Sequence, residues 1–333
     1  MKSIPSVILA TVSLALLSAC GGDGGGDDSS KSAPTAVAIT TTNETAVARA
    51  TIANGFAIAD TQSSGSNIAT TASARTRAFG ALVRRAVSEA AARRSAVASA
   101  TVHPAASTTD TEPCGVSGTL STSVDDKDGN GSLTSGDVVT AVFSQCRDSS
   151  TLLMNGTLVI TMTSVTSADQ FAANAVLQGF DLVDVDVSSL IDGTISITES
   201  DTTTESDTTL AVGDAGLTVV SSSTSYTDSV TFANGTRIAY RESTSDGQSS
   251  VTLDGSFTAA SIDGSVAVAT VQPIVQLAAD SYPSSGAMRV TGAGNSALLL
   301  TVLSATQVQL QLDANGDGTY ESTSDASWPT LIP

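Results

Sequence analysis

The sequence is poor in aromatic residues, in basic residues and in histidine. Phe, Trp and Tyr make up 4% of the 333 residues, and 14 Lys and Arg are outnumbered by 33 Asp and Glu, for a formal net charge of -19. We do not expect so acidic a chain to bind nucleic acid or an anionic membrane surface, because both would repel it. The same charge favours divalent cations as partners.

The side chains that most hydrolytic enzymes need are also scarce. His103 is the single histidine and precedes Pro104 in an apparent linker, where we expect it to be solvated. A Ser-His-Asp triad would depend on it. The sequence has no GxSxG elbow, no HExxH helix and no phosphate-binding glycine loop. We therefore expect no enzymatic activity.

A polysaccharide hydrolase would use two carboxylates in a cleft, commonly beside aromatic platforms. Acidic residues do cluster in one segment, at Glu199, Asp201, Glu205 and Asp207. In a chain with this many acids we expect them to lie on a solvated strand edge. Trp328, the only tryptophan, lies near the C-terminus.

The N-terminus has the composition of a cleaved export signal. Lys2 supplies a positive charge, residues 4–17 are mostly apolar, and small residues precede Cys20. The sequence Leu17-Ser18-Ala19-Cys20 resembles the lipobox of bacterial lipoproteins. The resemblance implies removal of residues 1–19 and acylation of Cys20, including palmitate, which would anchor the chain stably. The alternative is an ordinary secretory signal with an incidental cysteine.

Residues 20–33 are mostly Gly, Asp and Ser, which predicts a disordered tether. By analogy with lipoproteins of Gram-negative bacteria, Gly21 after the cysteine indicates sorting to the outer membrane. We expect a cell-envelope protein whose folded domain is periplasmic or surface-exposed.

Two cysteines remain once Cys20 is assigned to lipid. An even pair in an exported protein favours a disulfide between Cys114 and Cys146. A bridge of this span should add about 3 to 4 kcal/mol of stability. Two buried free thiols are the alternative.

The region 34–110 is expected to hold one amphipathic helix, over about residues 74–100. Apolar residues recur there at helical spacing, at Phe79, Leu82, Val83, Ala86, Val87 and Ala90. Six basic residues lie between Arg75 and Arg94. The helix either packs on the rest of the protein or forms an arm that touches anionic lipid or a partner. Residues 34–73 are weakly patterned and predict loose or strand-like structure.

Residues 111–333 predict a mainly β domain, a large antiparallel meander that forms a sandwich or an open half-barrel. Segments such as 194–198 and 307–312 alternate apolar and polar residues, as half-buried strands do. Asx-Gly steps are interpreted as hairpin turns. They are Asn155-Gly156, Asp192-Gly193, Asn234-Gly235, Asp254-Gly255 and Asp263-Gly264.

Residues 126–137 have the oxygen spacing of a calcium loop. Side-chain oxygens fall at loop positions 1, 3, 5, 9 and 12, and Gly131 stands at position 6. The segment resembles the calcium loop of EF-hands and, more closely, of dockerins. This resemblance implies Ca²⁺ ligation by Asp126, Asp128, Asn130, Thr134 and Asp137, with the Ser132 carbonyl. The flanks predict strands instead of helices, so the loop would tip a β-hairpin; a metal-free turn is the alternative.

Residues 313–321 are a weaker match to the same pattern. The expected ligands are Asp313, Asn315, Asp317, Thr319 and Glu321. Position 12 is Ser324, which has no carboxylate, and Glu321 at position 9 could partly replace it. Calcium and an empty turn are both open here.

Three functions follow as hypotheses. The first is a non-enzymatic, outer-membrane-anchored lipoprotein with a calcium-stabilised β domain that binds an envelope protein or glycan or has a structural role. The second is a half-barrel carrier of an apolar ligand or lipid. The third is an envelope polysaccharide hydrolase. The segment 282–286, Trp328 and the disulfide hairpin are loosely similar to β-rich bacterial lipoproteins without an assigned activity.

Overall fold

A computed structural model describes residues 34–59, 83, 86–88, 90–91, 108–147, 152–184, 187–222 and 227–332. All of these residues belong to one compact unit, Pro34–Pro333. The predictions for residues 1–33, including the signal, Cys20 and the tether, lie outside the described residues, as does His103.

In the residues that the structure describes, fifteen antiparallel strands form a single sheet. The first seven are β1 Thr108–Pro113, β2 Ser117–Asp125, β3 Val138–Arg147, β4 Leu152–Ser167, β5 Gln170–Asp184, β6 Val187–Asp201 and β7 Glu205–Ser222. The next four are β8 Thr227–Phe232, β9 Arg237–Ser243, β10 Ser249–Ala259 and β11 Gly264–Gln276. The last four are β12 Ser285–Thr291, β13 Ala297–Ser304, β14 Gln307–Asp313 and β15 Ser322–Ser327.

Successive strands pair with each other except for β8 and β9, which confirms the predicted mainly β meander. One local variation involves β8 and β9, which lie end to end between β7 and β10 and pair with both. The two strands therefore occupy one position in the sheet.

The strands form because apolar residues alternate with polar ones and fill one face. In β3, Val139, Ala141 and Phe143 are buried, while the residues between them are half-buried. The predicted strands at 194–198 and 307–312 lie within β6 and β14 and follow the same alternation. The buried face thus forms a continuous core across the sheet.

The interpretation of the Asx-Gly steps as hairpin turns was wrong for most of them. Asn155-Gly156, Asp192-Gly193 and Asp254-Gly255 lie inside β4, β6 and β10, and Asn234-Gly235 lies in the link from β8 to β9. Asn234-Gly235 forms the turn of that link, where Thr236 N donates to Ala233 O at 3.1 Å, and Asp263-Gly264 lies at the hairpin turn between β10 and β11. At the three steps inside strands the pairing register shifts, so these dipeptides mark β-bulges.

Each Asx side chain inside a strand accepts a backbone N–H that the bulge leaves unpaired on the neighbouring strand. Asn155 Oδ1 accepts from Gln145 N at 2.8 Å, and Asp192 Oδ1 accepts from Gly179 N at 2.6 Å. On β10, Asp254 Oδ1 accepts from Thr270 N at 2.9 Å. The dipeptides therefore let strands of up to 16 residues bend without leaving these donors unsatisfied.

Gly193 is the most constrained of these glycines. Its φ is +143°, and a Cβ there would lie 2.3 Å from the Gly216 carbonyl oxygen. Because that neighbour is backbone, Gly193→Ala should lower the free energy of unfolding by about 3 kcal/mol. Gly179→Ala is the matched control: its φ is also positive, but a Cβ there meets nothing within 4 Å, and about 1 kcal/mol is expected. Chemical denaturation of both variants measures this, and equal losses would contradict it.

The expectation of loose or strand-like structure before residue 74 was wrong for helix α1, Glu44–Ala59. Asn43 precedes the helix, and its Oδ1 accepts from Thr40 N at 2.8 Å while its carbonyl accepts from Val47 N at 2.9 Å. Val47, Ala50 and Thr51 are buried against the sheet. The packing of these residues against the sheet thus stabilises a helix in a segment whose own sequence pattern is weak.

In the predicted helix 74–100, the six described residues are helical. Val83, Ala86, Val87 and Ala90 among them are completely buried in the core. These four residues support packing on the protein instead of an exposed arm. The remainder of the segment lies outside the described residues.

An extended segment at residues 35–39 fastens the start of the described chain to the sheet. Val37 N donates to Ser265 O at 3.0 Å, and Ala293 N donates to Val37 O at 2.8 Å. Ile39 N donates to the buried Ser296 Oγ at 2.8 Å. The N-terminal segment and the sheet therefore share hydrogen bonds directly.

Trp328 begins a short C-terminal helix, Trp328–Leu331, and closes the core at that end of the chain. Its indole is fully buried, stacks on Tyr282 with ring centres 5.9 Å apart, and donates from Nε1 to Ser304 O at 3.1 Å.

No helix in the described part of the chain has the length and apolar character that crossing a membrane requires.

Candidate metal centre

The first acidic loop, residues 126–137, connects β2 to β3. Asp125 pairs with Val138 as the last rung of the ladder, so the loop is the tip of a hairpin. This confirms the prediction that strands, not helices, flank it.

Asp126, the first residue of this loop, folds the chain around its carboxylate. Oδ1 accepts from Gly129 N at 2.8 Å and Oδ2 accepts from Gly131 N at 2.9 Å. The two glycines have φ of +68° and +77°, which residues with a Cβ rarely adopt. The glycines therefore provide the sharp turn that wraps the backbone around the first carboxylate.

Asp137 closes the loop from the other end and is 0% exposed. Its Oδ1 accepts from Lys127 N at 2.8 Å, and its Oδ2 accepts from Thr134 N at 2.8 Å and from Thr134 Oγ1 at 3.2 Å. Sequence reasoning named Asp137 as a ligand but did not foresee that it also caps both halves of the loop.

The remaining predicted residues lie around the same point. Thr134 Oγ1 donates to Asp128 Oδ2 at 3.1 Å, as does Asn130 Nδ2 at 2.6 Å. Ser132 N donates to Asn130 Oδ1 at 2.6 Å. The structure therefore brings together all six residues named from the sequence.

The carboxylates of Asp126, Asp128 and Asp137 fit a bound cation. One oxygen from each lies within 4.8 Å of the others, which is close enough for the three to hold a metal ion between them. Lys127 is the only basic residue in the loop, and its ammonium pairs with Asp125, which precedes the loop. A cation at this point would offset the charge of the three acids.

The second acidic loop, residues 313–321, connects β14 to β15 and repeats this arrangement. Asp313 is 1% exposed, and its two oxygens accept from Gly316 N at 2.7 Å and Gly318 N at 2.9 Å. These donors stand at loop positions 4 and 6, as Gly129 and Gly131 do in the first loop. The two loops thus share one turn built around the first aspartate, which is half-buried in the first loop and buried in the second.

Glu321 takes the place that Asp137 has in the first loop. Its Oε2 accepts from Ala314 N, at loop position 2, at 2.9 Å, as Asp137 accepts from Lys127 N. Ser324 lies in β15 and donates to Glu44 Oε1 at 3.0 Å. The longer glutamate at position 9 therefore closes this loop, and position 12 is not part of it.

Asp317 and Thr319 complete the second loop. Thr319 N donates to Asp317 Oδ1 at 2.8 Å, and this bond, with help from the Asn315 amide, holds the pKa of Asp317 below its ordinary value. One oxygen from each of Asp313, Asp317 and Glu321 lies within 4.8 Å of the others. The loop has no Lys or Arg, so three acids converge here also.

The disulfide closes the first hairpin at its other end. Cys114 and Cys146 are bonded, with Cα atoms 5.4 Å apart, which confirms the predicted pair. Both residues are buried, and Cys114 N donates to Gly118 O at 3.0 Å. The hairpin therefore has a covalent link at one end and the first acidic loop at the other.

The acidic residues of β6 and β7 do not form a further cluster. The expectation that all would be solvated was wrong for Glu199, which is 2% exposed and accepts from Thr208 Oγ1 at 2.8 Å. Glu205 and Asp207 lie on the opposite face and pair with Arg241. Glu199 is paired with Thr208 and Asp201 with Ser206 across the β6–β7 ladder, so these two acids lie on one face of the sheet, and Glu205 and Asp207 lie on the other because side chains alternate along a strand.

Comparisons with family models, with curated proteins and with solved structures find no match to this chain. Its class therefore rests on its own described residues. They form a mainly β protein with one fifteen-stranded antiparallel sheet, a disulfide, and two clusters of acidic side chains at hairpin tips.

Proposed function

We propose that this protein is a non-enzymatic lipoprotein of the outer membrane, with a β domain that is stabilised by calcium and has a binding or structural role at the cell envelope. One observation carries the calcium proposal: in each acidic loop three carboxylates converge, and the basic residue nearest to them pairs elsewhere or is absent. The lipoprotein proposal is supported by the sequence that ends at Cys20.

Calcium, and not magnesium, suits these loops. Each offers carboxylate, amide and hydroxyl oxygens on a short, flexible turn, and Ca²⁺ accepts six to eight oxygens in such irregular geometry, whereas Mg²⁺ demands a near-ideal octahedron. In the first loop the ligands would be Asp126, Asp128, Asn130, Thr134, Asp137 and the Ser132 carbonyl. In the second they would be Asp313, Asn315, Asp317, Thr319 and Glu321.

The role of the ions would be structural. The first loop joins β2 to β3 near one end of the strand order, and the second joins β14 to β15 at the other end. An ion there neutralises repulsion between acids and holds the strand ends in register. We infer that bound calcium increases the stability of the fold and takes no part in a reaction.

Thermal melting of the full-length protein tests the calcium proposal. Calcium at about one hundred times its Kd should stabilise by about 2.7 kcal/mol for each site, relative to chelator. The melting temperature should therefore rise with calcium and rise less with the same concentration of magnesium. Equal melting temperatures in calcium and in chelator would refute the proposal.

Acylation is tested separately with Cys20→Ala. The wild-type protein should incorporate a fatty-acid analogue and sediment with membranes, because several acyl chains on one residue anchor it stably. Cys20→Ala should lose the label and leave the membrane fraction. The variant Cys114→Ala/Cys146→Ala is the control and should keep the label. Equal labelling of Cys20→Ala would exclude this lipid anchor.

A further inference from the structure

The outer face of the sheet holds a groove across β7, β9 and β10, with β11 as its rim. Its volume is about 390 Å³, within the range of about 300 to 1,000 Å³ found for small-molecule sites. Asp207 and Thr209 contribute from β7, and Pro273 contributes from β11. None of its residues belongs to either acidic loop, so the groove is independent of the proposed calcium sites.

A local irregularity of the sheet creates the groove. Between the pairs Val251–Ile274 and Gly255–Val268, three residues of β10 face five residues of β11. Pro273 lies in this longer stretch of β11 and lines the groove. The floor consists of short side chains, such as Ala239 and Ser250, which leave space above the sheet.

A fixed pair of charges lies at one side of the groove. Arg241 Nε donates to Asp207 Oδ1 at 2.7 Å, and Arg241 Nη2 donates to Asp207 Oδ2 at 3.3 Å. Glu205 Oε1 lies 3.7 Å from Arg241 Nη1. This bidentate contact holds the guanidinium flat and leaves it further N–H donors. The three groups together carry one negative charge.

Three hydroxyl groups in the groove have no intramolecular partner. Thr209, Ser250 and Thr252 are half-buried, and their side chains make no hydrogen bond within the described chain. Each hydroxyl can donate and accept. A ligand that does both would therefore find three matching groups beside the Arg241–Asp207 pair.

This chemistry selects the class of ligand. An apolar ligand would bury the hydroxyls without partners, which costs free energy. An anion would meet Asp207 and Glu205, and a cation would compete with Arg241, which already neutralises one of them. A neutral sugar offers hydroxyls that donate and accept, and C–H faces that can pack on Pro273 and Ala239. We propose that this groove binds one or two sugar residues of a neutral glycan.

Saturation-transfer NMR with full-length protein and millimolar maltotriose, cellotriose or chitotriose tests the proposal. At least one of these trisaccharides should receive saturation from the protein. Thr209→Val/Thr252→Val keeps the shape of both side chains and removes two hydroxyls, so it should weaken binding about tenfold or more. Arg241→Lys keeps the positive charge but loses the bidentate guanidinium, so it should weaken sugar binding as well. This variant provides the test if the double variant does not fold.

Thr140→Val is the matched control, because Thr140 is half-buried on the outer face of β3, away from the groove strands. It should bind as the wild type does. No transfer to any of the three trisaccharides would overturn the proposal. If the double variant and Arg241→Lys both show transfer as strong as that of the wild type, the proposal is also overturned, since the sugar would then bind elsewhere.

Discussion

The variant Cys114→Ala/Cys146→Ala is expected to lose about 3 to 4 kcal/mol of unfolding free energy, because the bridge closes a loop across a sequence separation of 32. Without the bridge the unfolded chain regains conformational freedom, which lowers the free energy of the unfolded state and so reduces stability. Urea denaturation followed by circular dichroism measures the loss.

The position of the bridge adds to this expectation. Cys114 lies between β1 and β2, and in the described part of the chain β1 is the end strand of the sheet and pairs with β2. Without the bridge, this end of the sheet depends on strand pairing alone. Cys20→Ala is the control and should unfold at the wild-type urea concentration. A double variant that unfolds at that concentration as well would contradict the prediction.

Asp137→Ala is expected to have the second large effect, with and without calcium. In chelator it leaves the N–H groups of Lys127 and Thr134 without their acceptor, which should cost about 2 to 4 kcal/mol in total. In calcium it should also lose the stabilisation that the first loop gains from the ion. Melting in chelator and in calcium separates the two contributions.

Asp137→Asn distinguishes the structural role of this side chain from its role as a ligand. The amide oxygen can still accept one of the two N–H groups, so the loss in chelator should be smaller than for Asp137→Ala. The negative charge is gone, so the response of the first loop to calcium should be lost in both variants. A calcium response as large in Asp137→Asn as in the wild type would show that Asp137 is not a ligand.

The parts of the fold that sequence reasoning predicted depend on local spacing. The first acidic loop is a run of twelve residues whose turn is dictated by Asp126, Gly129 and Gly131, so its shape follows from neighbours in the chain. The disulfide was predicted by counting cysteines in a sequence whose N-terminus resembles an export signal. The strands β6 and β14 were predicted from the alternation of apolar and polar residues, which is also a local pattern.

The errors concern long-range structure. Asp192-Gly193 has the composition of a hairpin turn, but its role depends on Gly179 and Gly216 in the adjacent strands. Helix α1 depends on the sheet that buries Val47 and Ala50. Neither partner can be located from the segment itself.

The second loop shows an intermediate case. The pattern located Asp313 and Asp317, and it offered Glu321 at position 9 as a partial replacement for the carboxylate that position 12 lacks. The structure shows that Glu321 reaches back from position 9 to Ala314 N, because its side chain is longer by one methylene. The longer side chain therefore compensates for the earlier position along the loop, and the contact with Ala314 is the part that the spacing did not predict.

Calorimetric titration of the full-length, chelator-treated protein with calcium tests the central claim most directly. The account predicts two ions per chain for the wild type, one for Asp137→Asn, one for Glu321→Gln, and none for the combined variant. No bound calcium in the wild type, or two ions in the combined variant, would contradict it.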